Sequence, residues 1–174
     1  MIGAGYTGLV AGACLADFGH DVTCIDSDAE RIAALIAGRM PIFEPGLAPM
    51  VAVNRQSGRL TFGAGMALPI AQADVVFIAV GTPAGDDGRP DVTAVMAAAR
   101  SIAPHLKGFT VVATKSTVPV GTGDAIEALL RAANPSADVA VVSNPEFLRE
   151  GAAVNDFKLP NRIIIGTEDE RARH

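Results

Sequence analysis

Long apolar runs are missing from this sequence. Of its 174 residues 49% are hydrophobic, yet none of their runs reaches the roughly 18 unbroken apolar residues of a membrane span. Membrane association is therefore not expected. No basic stretch followed by an apolar core opens the chain, so no secretory signal is expected either. Clusters of Lys and Arg are also lacking, and the net charge is −5, which argues against nucleic acid as a partner. Cysteine is scarce. Cys14 and Cys24 are flanked by apolar residues and read as reduced core residues of a cytosolic protein. A reactive thiol would need an exposed electropositive setting, and neither position suggests one. Metal-ligand spacing is absent among the cysteines and the three histidines. His20 lies in a turn, His105 follows a proline and His174 is the last residue, so each reads as a surface residue. No repeat, low-complexity tract or long linker appears, and the length suits one well-packed domain.

Glycine, by contrast, is placed with purpose. The opening Ile2-Gly3-Ala4-Gly5-Tyr6-Thr7-Gly8 has the G-x-G-x-x-G form. Gly3 permits a tight strand-to-helix turn, Gly5 lets a pyrophosphate approach the backbone, and Gly8 lets the helix pack on the strand. The free N–H groups and positive end of that helix would face the phosphates. An apolar helix from Leu9 to Phe18 follows, with Gly19-His20 as its stop. The strand Asp21 to Ile25 then ends in Asp26, about 20 residues past the glycines, where a carboxylate can accept the hydroxyls of an adenosine ribose. Ser27 rather than Arg comes next, which favours NAD over NADP. Asp26 also reads as the start of a helix, with Ser27 and Glu30 as a capping box; the two readings are compatible.

The remaining pattern alternates strands with helices. Ala29 to Ala37 is amphipathic, with Ile32, Leu35 and Ile36 on one face and Gly38 as stop. Arg31, on its first turn, either lies over an adenine or is solvated. Pro41 to Leu47 is a stiff loop. A helix over 48–56 and a strand over 60–62 come next. Val75 to Val80 is a continuous apolar run, as in a parallel strand buried on both faces. A polar loop over 84–91 leads to a helix over 92–103, a strand over 109–114, a helix over 124–132, a strand over 139–143 and a last strand over 162–166. The expected fold is α/β, a Rossmann-like doubly wound, mainly parallel sheet. Only Met1 and Ile2 precede Gly3, so its first strand reads as truncated, as in a clipped chain or one with a misplaced start.

The strands end in the Gly3 turn, Asp26, Gly81-Thr82-Pro83, Ser116-Thr117 and Asn144-Pro145-Glu146. In open α/β sheets ligands bind outside the carboxyl ends of the strands. Ordinary turn and cap chemistry accounts for any one of these residues alone. Glu146 and Glu150 are harder to dismiss, and they would share a face if their segment were helical.

Taken together, GAGYTG, CIDSDAERI, IFEPGL, FIAVGTP, KSTVPVGT and SNPEFLREGAAVNDF…PNRIIIG resemble the UDP-glucose/GDP-mannose dehydrogenase family, and its UDP-glucose branch in particular. The segments span the whole chain in the family's order. The resemblance implies an NAD-dependent, cytoplasmic enzyme that oxidises UDP-glucose at C6 to UDP-glucuronate, reducing two NAD in succession. It implies that residues 1–174 are the NAD-binding domain of a longer, homodimeric protein. By position, Gly3, Gly5, Tyr6 and Gly8 would hold the pyrophosphate, and Asp26 and Arg31 the adenosine ribose. Thr82 and Ser116 would line the nicotinamide side, and Glu150 would contact the cofactor. Thr117 and Glu146 would position and activate the water that hydrolyses an acyl intermediate. Glu146, Phe147, Leu148 and Arg149 would lie along the nucleotide sugar.

The family's nucleophilic cysteine, its oxyanion-stabilising lysine and asparagine, and its dimer helix lie beyond this stretch. Neither Cys14 nor Cys24 can replace that nucleophile. The chain is expected to bind NAD and not to turn over. A stand-alone NAD-binding module and a dehydrogenase of another nucleotide sugar are the alternatives.

Overall fold

A computed structural model describes residues 1–85 and 88–173. Asp86 and Asp87 of the polar loop, and His174, lie outside the described residues. The elements in order are α1 Tyr6–Asp17, β1 Val22–Ile25, α2 Ala29–Ile36, α3 Leu47–Gln56, β2 Leu60–Gly63, α4 Ala67–Ala71 and β3 Val75–Ile78. They continue with α5 Thr93–Ile102, β4 Phe109–Thr114, α6 Thr122–Ala133, β5 Asp138–Ser143 and α7 Ala153–Lys158, with 3₁₀ turns at Ala103–His105 and Glu170–Arg173. All strand ladders are parallel, as the alternation of strands and helices requires. The fold is Rossmann-like α/β. Two compact units divide it: Met1–Ala64 with Phe147–Ile163, and Gly65–Glu146 with Ile164–His174.

In the first unit β1 pairs with β2, Val22 opposite Leu60. The residues before Gly3 pair through one parallel bridge, Ile2 with Ile25. The Gly3 N–H donates to the Ile25 carbonyl at 2.7 Å, and the Ile25 N–H donates to Met1 at 2.8 Å. Helix α1 is buried almost all round, from Gly8 to Ala16, as befits a helix built of small and apolar residues. Its closest approach to the sheet is at Gly12, where an added Cβ would stand 2.6 Å from Cys24 Sγ. The helix ends as expected at Gly19: the His20 N–H reaches the Leu15 carbonyl and the Gly19 N–H that of Ala16, a Schellman stop. Gly38 closes α2 in the same way, with Arg39 bonded to Ala34 and Gly38 to Leu35.

Two expectations for α2 are corrected. Its N-cap is Asp28, whose side chain accepts the Arg31 N–H; Ser27 lies one residue too early for the cap. Ile36 does not join the buried face of Ile32 and Leu35 but is 53% exposed, at the last position of a short helix.

The second unit holds the sheet β3-β4-β5, with Val75 opposite Val111 and Phe109 opposite Asp138. Ile78, Val112 and Val142 of the sheet, Val95 and Ile102 of α5, and Ile126 and Leu130 of α6 are all buried. Strand β3 stops at Ile78, short of the expected Val80, and Val75 at its start is exposed. The expected strand at 162–166 does not form. Its β-branched residues favour extension, but pairing is confined to one antiparallel bridge between Gly166 and Ser143. Two short helices, α4 and α7, were not legible in the sequence.

Candidate functional site

The glycine turn is built as its motif demands. Gly3 has φ 99°, a conformation that other residues rarely adopt. The first helical bond of α1 runs from the Leu9 N–H to the Gly5 carbonyl at 2.9 Å, so the amides of the first turn precede the helix's own ladder. Gly5 has nothing within 4 Å of an added Cβ: the space over the turn is open. No acidic residue lies in the first turn of α1 itself.

Asp26 is tied directly to this turn. Its Oδ2 accepts the Ala4 N–H at 2.7 Å and Arg31 Nη1 at 2.9 Å, and its Oδ1 accepts the Asp28 N–H at 2.9 Å. Burial alone would push this carboxyl up; the bonds from Asp28, Ala4 and Arg31 outweigh it and hold Asp26 below the usual carboxylate range. A carboxylate offers about four acceptor positions, so roughly one remains for a sugar hydroxyl. Arg31, which also pairs with Asp28 at 3.3 Å, is the donor beside it. Of the two readings of Arg31, stacking or solvation, the structure shows a third: an ion-paired clamp on Asp26.

The segment Phe147–Glu150 belongs to the same unit. It is irregular rather than helical, so Glu146 and Glu150 do not share a helix face. Pro145 precedes it, and Gly151, left-handed at φ 85°, ends it. Leu148 packs on the core cluster of α1 and its neighbours. Arg149 is bound through its backbone N–H, Nε and Nη2 to Asp156 at 2.9, 3.1 and 2.7 Å. Phe147 carries the Arg162 guanidinium 4.0 Å above its ring centroid, and Glu150 is exposed.

The residue that holds this segment was not picked out in the sequence. Glu44, in the Pro41–Leu47 loop, is only 4% exposed. It accepts the Tyr6 hydroxyl at 2.6 Å, the Gly151 N–H at 2.9 Å and the Ala153 N–H at 2.8 Å. Burial raises its carboxyl, but these donors and Val154 more than compensate and lower it. The Tyr6 hydroxyl, pushed up by burial and by Glu44, stays protonated.

In the second unit the remaining predicted residues gather at the carboxyl ends of β3, β4 and β5. Ser116 is buried, and its hydroxyl donates to the Val80 carbonyl at 2.6 Å, bracing the Gly81-Thr82-Pro83 turn. Thr82 is half-buried and Thr117 is exposed. Lys115, also missed in the sequence, is 6% exposed and donates to Asn144 Oδ1 at 3.0 Å. Its ammonium lies 5.8 Å from the Phe77 ring centroid. Burial lowers its pKa and the charge of Glu146 partly restores it, so Glu146 faces a buried cation. A groove of about 500 Å³ between α6, β5 and residues 166–169 is lined by Asp124, Glu127, Arg131 and Thr167; none of the predicted site residues lines it.

Both cysteines are buried and free, and burial pushes both thiols up to about 11. Neither is a thiolate near neutral pH.

These features define a class: an α/β nucleotide-binding protein with an open glycine turn and an acidic residue at the end of the next strand. The chain belongs to the UDP-glucose/GDP-mannose dehydrogenase family, whose NAD binding domain matches residues 1–174. Among its relatives are a UDP-glucose 6-dehydrogenase of Rhizobium meliloti, 62% identical over 176 aligned positions, and one of Pseudomonas aeruginosa, 48% identical. Both alignments take in 99% of this chain but only 40% and 39% of the relatives. The chain thus spans about two fifths of their length. Two solved structures superpose with a TM-score of 0.94 over 99% of the chain and 41% of theirs. They are a UDP-glucose dehydrogenase from Pyrobaculum islandicum at 41% identity and a GDP-mannose dehydrogenase from Pseudomonas aeruginosa at 32%. No helix among the described residues is long and apolar enough to cross a membrane.

Proposed function

We propose that this chain supplies the NAD-binding part of a UDP-glucose 6-dehydrogenase, which oxidises the C6 alcohol of UDP-glucose to the carboxylate. The observation that carries this reading is the Ala4–Asp26–Arg31 arrangement at an open glycine turn. The first-turn amides at Gly5, Tyr6 and Gly8 hold the pyrophosphate, with Gly3 shaping the turn. Asp26 takes a ribose hydroxyl through its remaining acceptor position, and Arg31 donates beside it. A 2′-phosphate would meet the Asp26 carboxylate and the exposed Ser27, so NAD is preferred to NADP. When bound, NAD takes the hydride released from C6.

Thr82, Ser116 and Glu150 serve the nicotinamide end. Ser116 acts by holding the Val80 carbonyl and hence the Thr82 turn. Oxidation from alcohol to carboxylate consumes two NAD and one water. Thr117 orients that water, and Glu146 removes its proton. The backbone from Glu146 to Arg149, with Phe147 and Leu148, follows the nucleotide sugar. The nucleophile, the rest of the sugar pocket and the homodimer contact belong to the portion of the relatives outside this alignment. The similarity to a GDP-mannose dehydrogenase supports a second reading, in which the substrate is another nucleotide sugar.

Calorimetric titration with NAD, with NADP as control, tests the proposal. NAD should bind at least about tenfold more tightly, a difference of about 1.4 kcal/mol. A chain shown by circular dichroism to be folded, yet binding neither, would overturn it.

A further inference from the structure

Burying a carboxylate is costly unless it is fully hydrogen-bonded, and a loop needs no such group to stay in place. Glu44 nevertheless is almost wholly buried. Its partners Tyr6, Gly151 and Ala153 are neutral donors, so it is not there to neutralise a cation among them. What sets Glu44 apart is where those donors come from. One is the side chain of the residue directly after Gly5, on the first turn of α1. The others are backbone amides directly after the segment Phe147–Glu150. The Tyr6 hydroxyl also lies 3.5 Å from the Arg149 carbonyl. Tyr6 therefore offers its backbone to the glycine turn and commits its side chain to the other segment.

We propose that Tyr6 and Glu44 are a pair of positioning residues that couple the nucleotide turn to the Phe147–Gly151 segment. This rests on the reading above, in which that turn holds the pyrophosphate of NAD and that segment follows the nucleotide sugar. A ligand seated on the first turn of α1 fixes the Tyr6 backbone and ring. The fixed hydroxyl holds Glu44, and Glu44 holds the amides of Gly151 and Ala153. Cofactor binding thus orders the segment that meets the second ligand through Tyr6 and Glu44, in addition to any contact made by Glu150 itself.

The test uses the 174-residue chain, combining calorimetry with residue-resolved amide hydrogen exchange. NAD should increase protection of the Gly151 and Ala153 amides in the unaltered chain. Tyr6→Phe removes one oxygen and leaves the backbone of the turn intact. Compared at NAD concentrations that saturate each protein by its own titration, Tyr6→Phe, like Glu44→Gln, should lose that NAD-dependent protection. Without ligand, Tyr6→Phe and Glu44→Gln should each lower protection of Gly151 by about tenfold or more. The double variant should be no worse than Glu44→Gln, because Tyr6 acts through Glu44. If Glu44→Gln does not fold, Tyr6→Phe alone decides the matter.

Equal NAD-dependent protection in the unaltered chain and in Tyr6→Phe overturns the coupling while leaving NAD binding established. Absence of any NAD heat with the folded, unaltered chain overturns both the coupling and the functional reading. A merely structural role would lower protection in both variants but leave the NAD-dependent increment unchanged.

Discussion

At the scale of single residues, what could be read from the sequence was what depends on neighbours in the chain. Gly3, Gly5 and the distance to Asp26 follow from local geometry, and the Ala4-to-Asp26 bond realises that spacing. Glu44 and Lys115 could not be read in this way. Their partners are Gly151 and Asn144, far along the chain, and a lone acid or lysine in a loop normally points to water. Two predictions belong here. Asp26→Asn keeps the shape of the side chain but loses its charge-assisted bonds to Ala4, Asp28 and Arg31. It should weaken NAD binding by about tenfold or more by calorimetry; unchanged affinity would remove Asp26 from the site. Gly12→Ala places a methyl against Cys24 Sγ, and overpacking of this kind costs about 1–3 kcal/mol. Cys24→Ala in the same chain should recover part of that loss in urea unfolding, because it removes the opposing atom. Strict additivity of the two substitutions would contradict the contact.

At the scale of elements, continuous apolar runs located the longer strands and the 3.6-residue period the longer helices, and the errors on those elements fell at their ends. Helix α2 shows why. Ser27 is the cap expected from the sequence, yet the choice depends on which residue leaves the strand with extended backbone and bonds back to the helix; Asp28 does so, at φ −78° and ψ 98°. Asp28→Ala should therefore cost about 1 kcal/mol of stability, whereas Ser27→Ala should change little; the reverse order in thermal unfolding would restore the Ser27 cap. The run at 162–166 failed for a different reason. Three isoleucines give strand propensity, but a strand exists only as a ladder, and Gly166 alone finds a partner on β5.

The first strand carries the same lesson from the other side. Its ladder is one bridge long, and the Met1 ammonium donates to the Thr23 carbonyl at 2.8 Å while burial lowers its pKa. Adding three or four apolar residues before Met1 would replace a buried charge with a neutral amide and continue pairing beside β1. The melting temperature should rise by about 2–4 °C for each kcal/mol gained; an unchanged midpoint would show that the stub is already sufficient.

At the scale of the whole molecule, half-buried Asp26 and buried Glu44 both have depressed pKa values, lie in the same compact unit and bind backbone amides that carry the candidate site. This fixes the sign of the pH dependence. A group whose folded pKa lies below its unfolded value stabilises the fold above the unfolded value, and that contribution is lost as pH falls through the folded one. With ordinary values of about 3.9 for Asp and 4.3 for Glu, stability from these two groups should be fully present near neutrality and decline progressively below about pH 4. Glu44→Gln removes one of them. Its stability should be lower at neutral pH by about 1–3 kcal/mol, because an amide cannot accept all of these donors. Its dependence on pH below 4 should be shallower than that of the unaltered chain, since one fewer proton is taken up on unfolding. Urea unfolding between pH 3 and 7 measures both quantities. Parallel curves for the two proteins would mean that Glu44 titrates alike in the folded and unfolded chains, so that the amides of Gly151 and Ala153 do not favour its carboxylate.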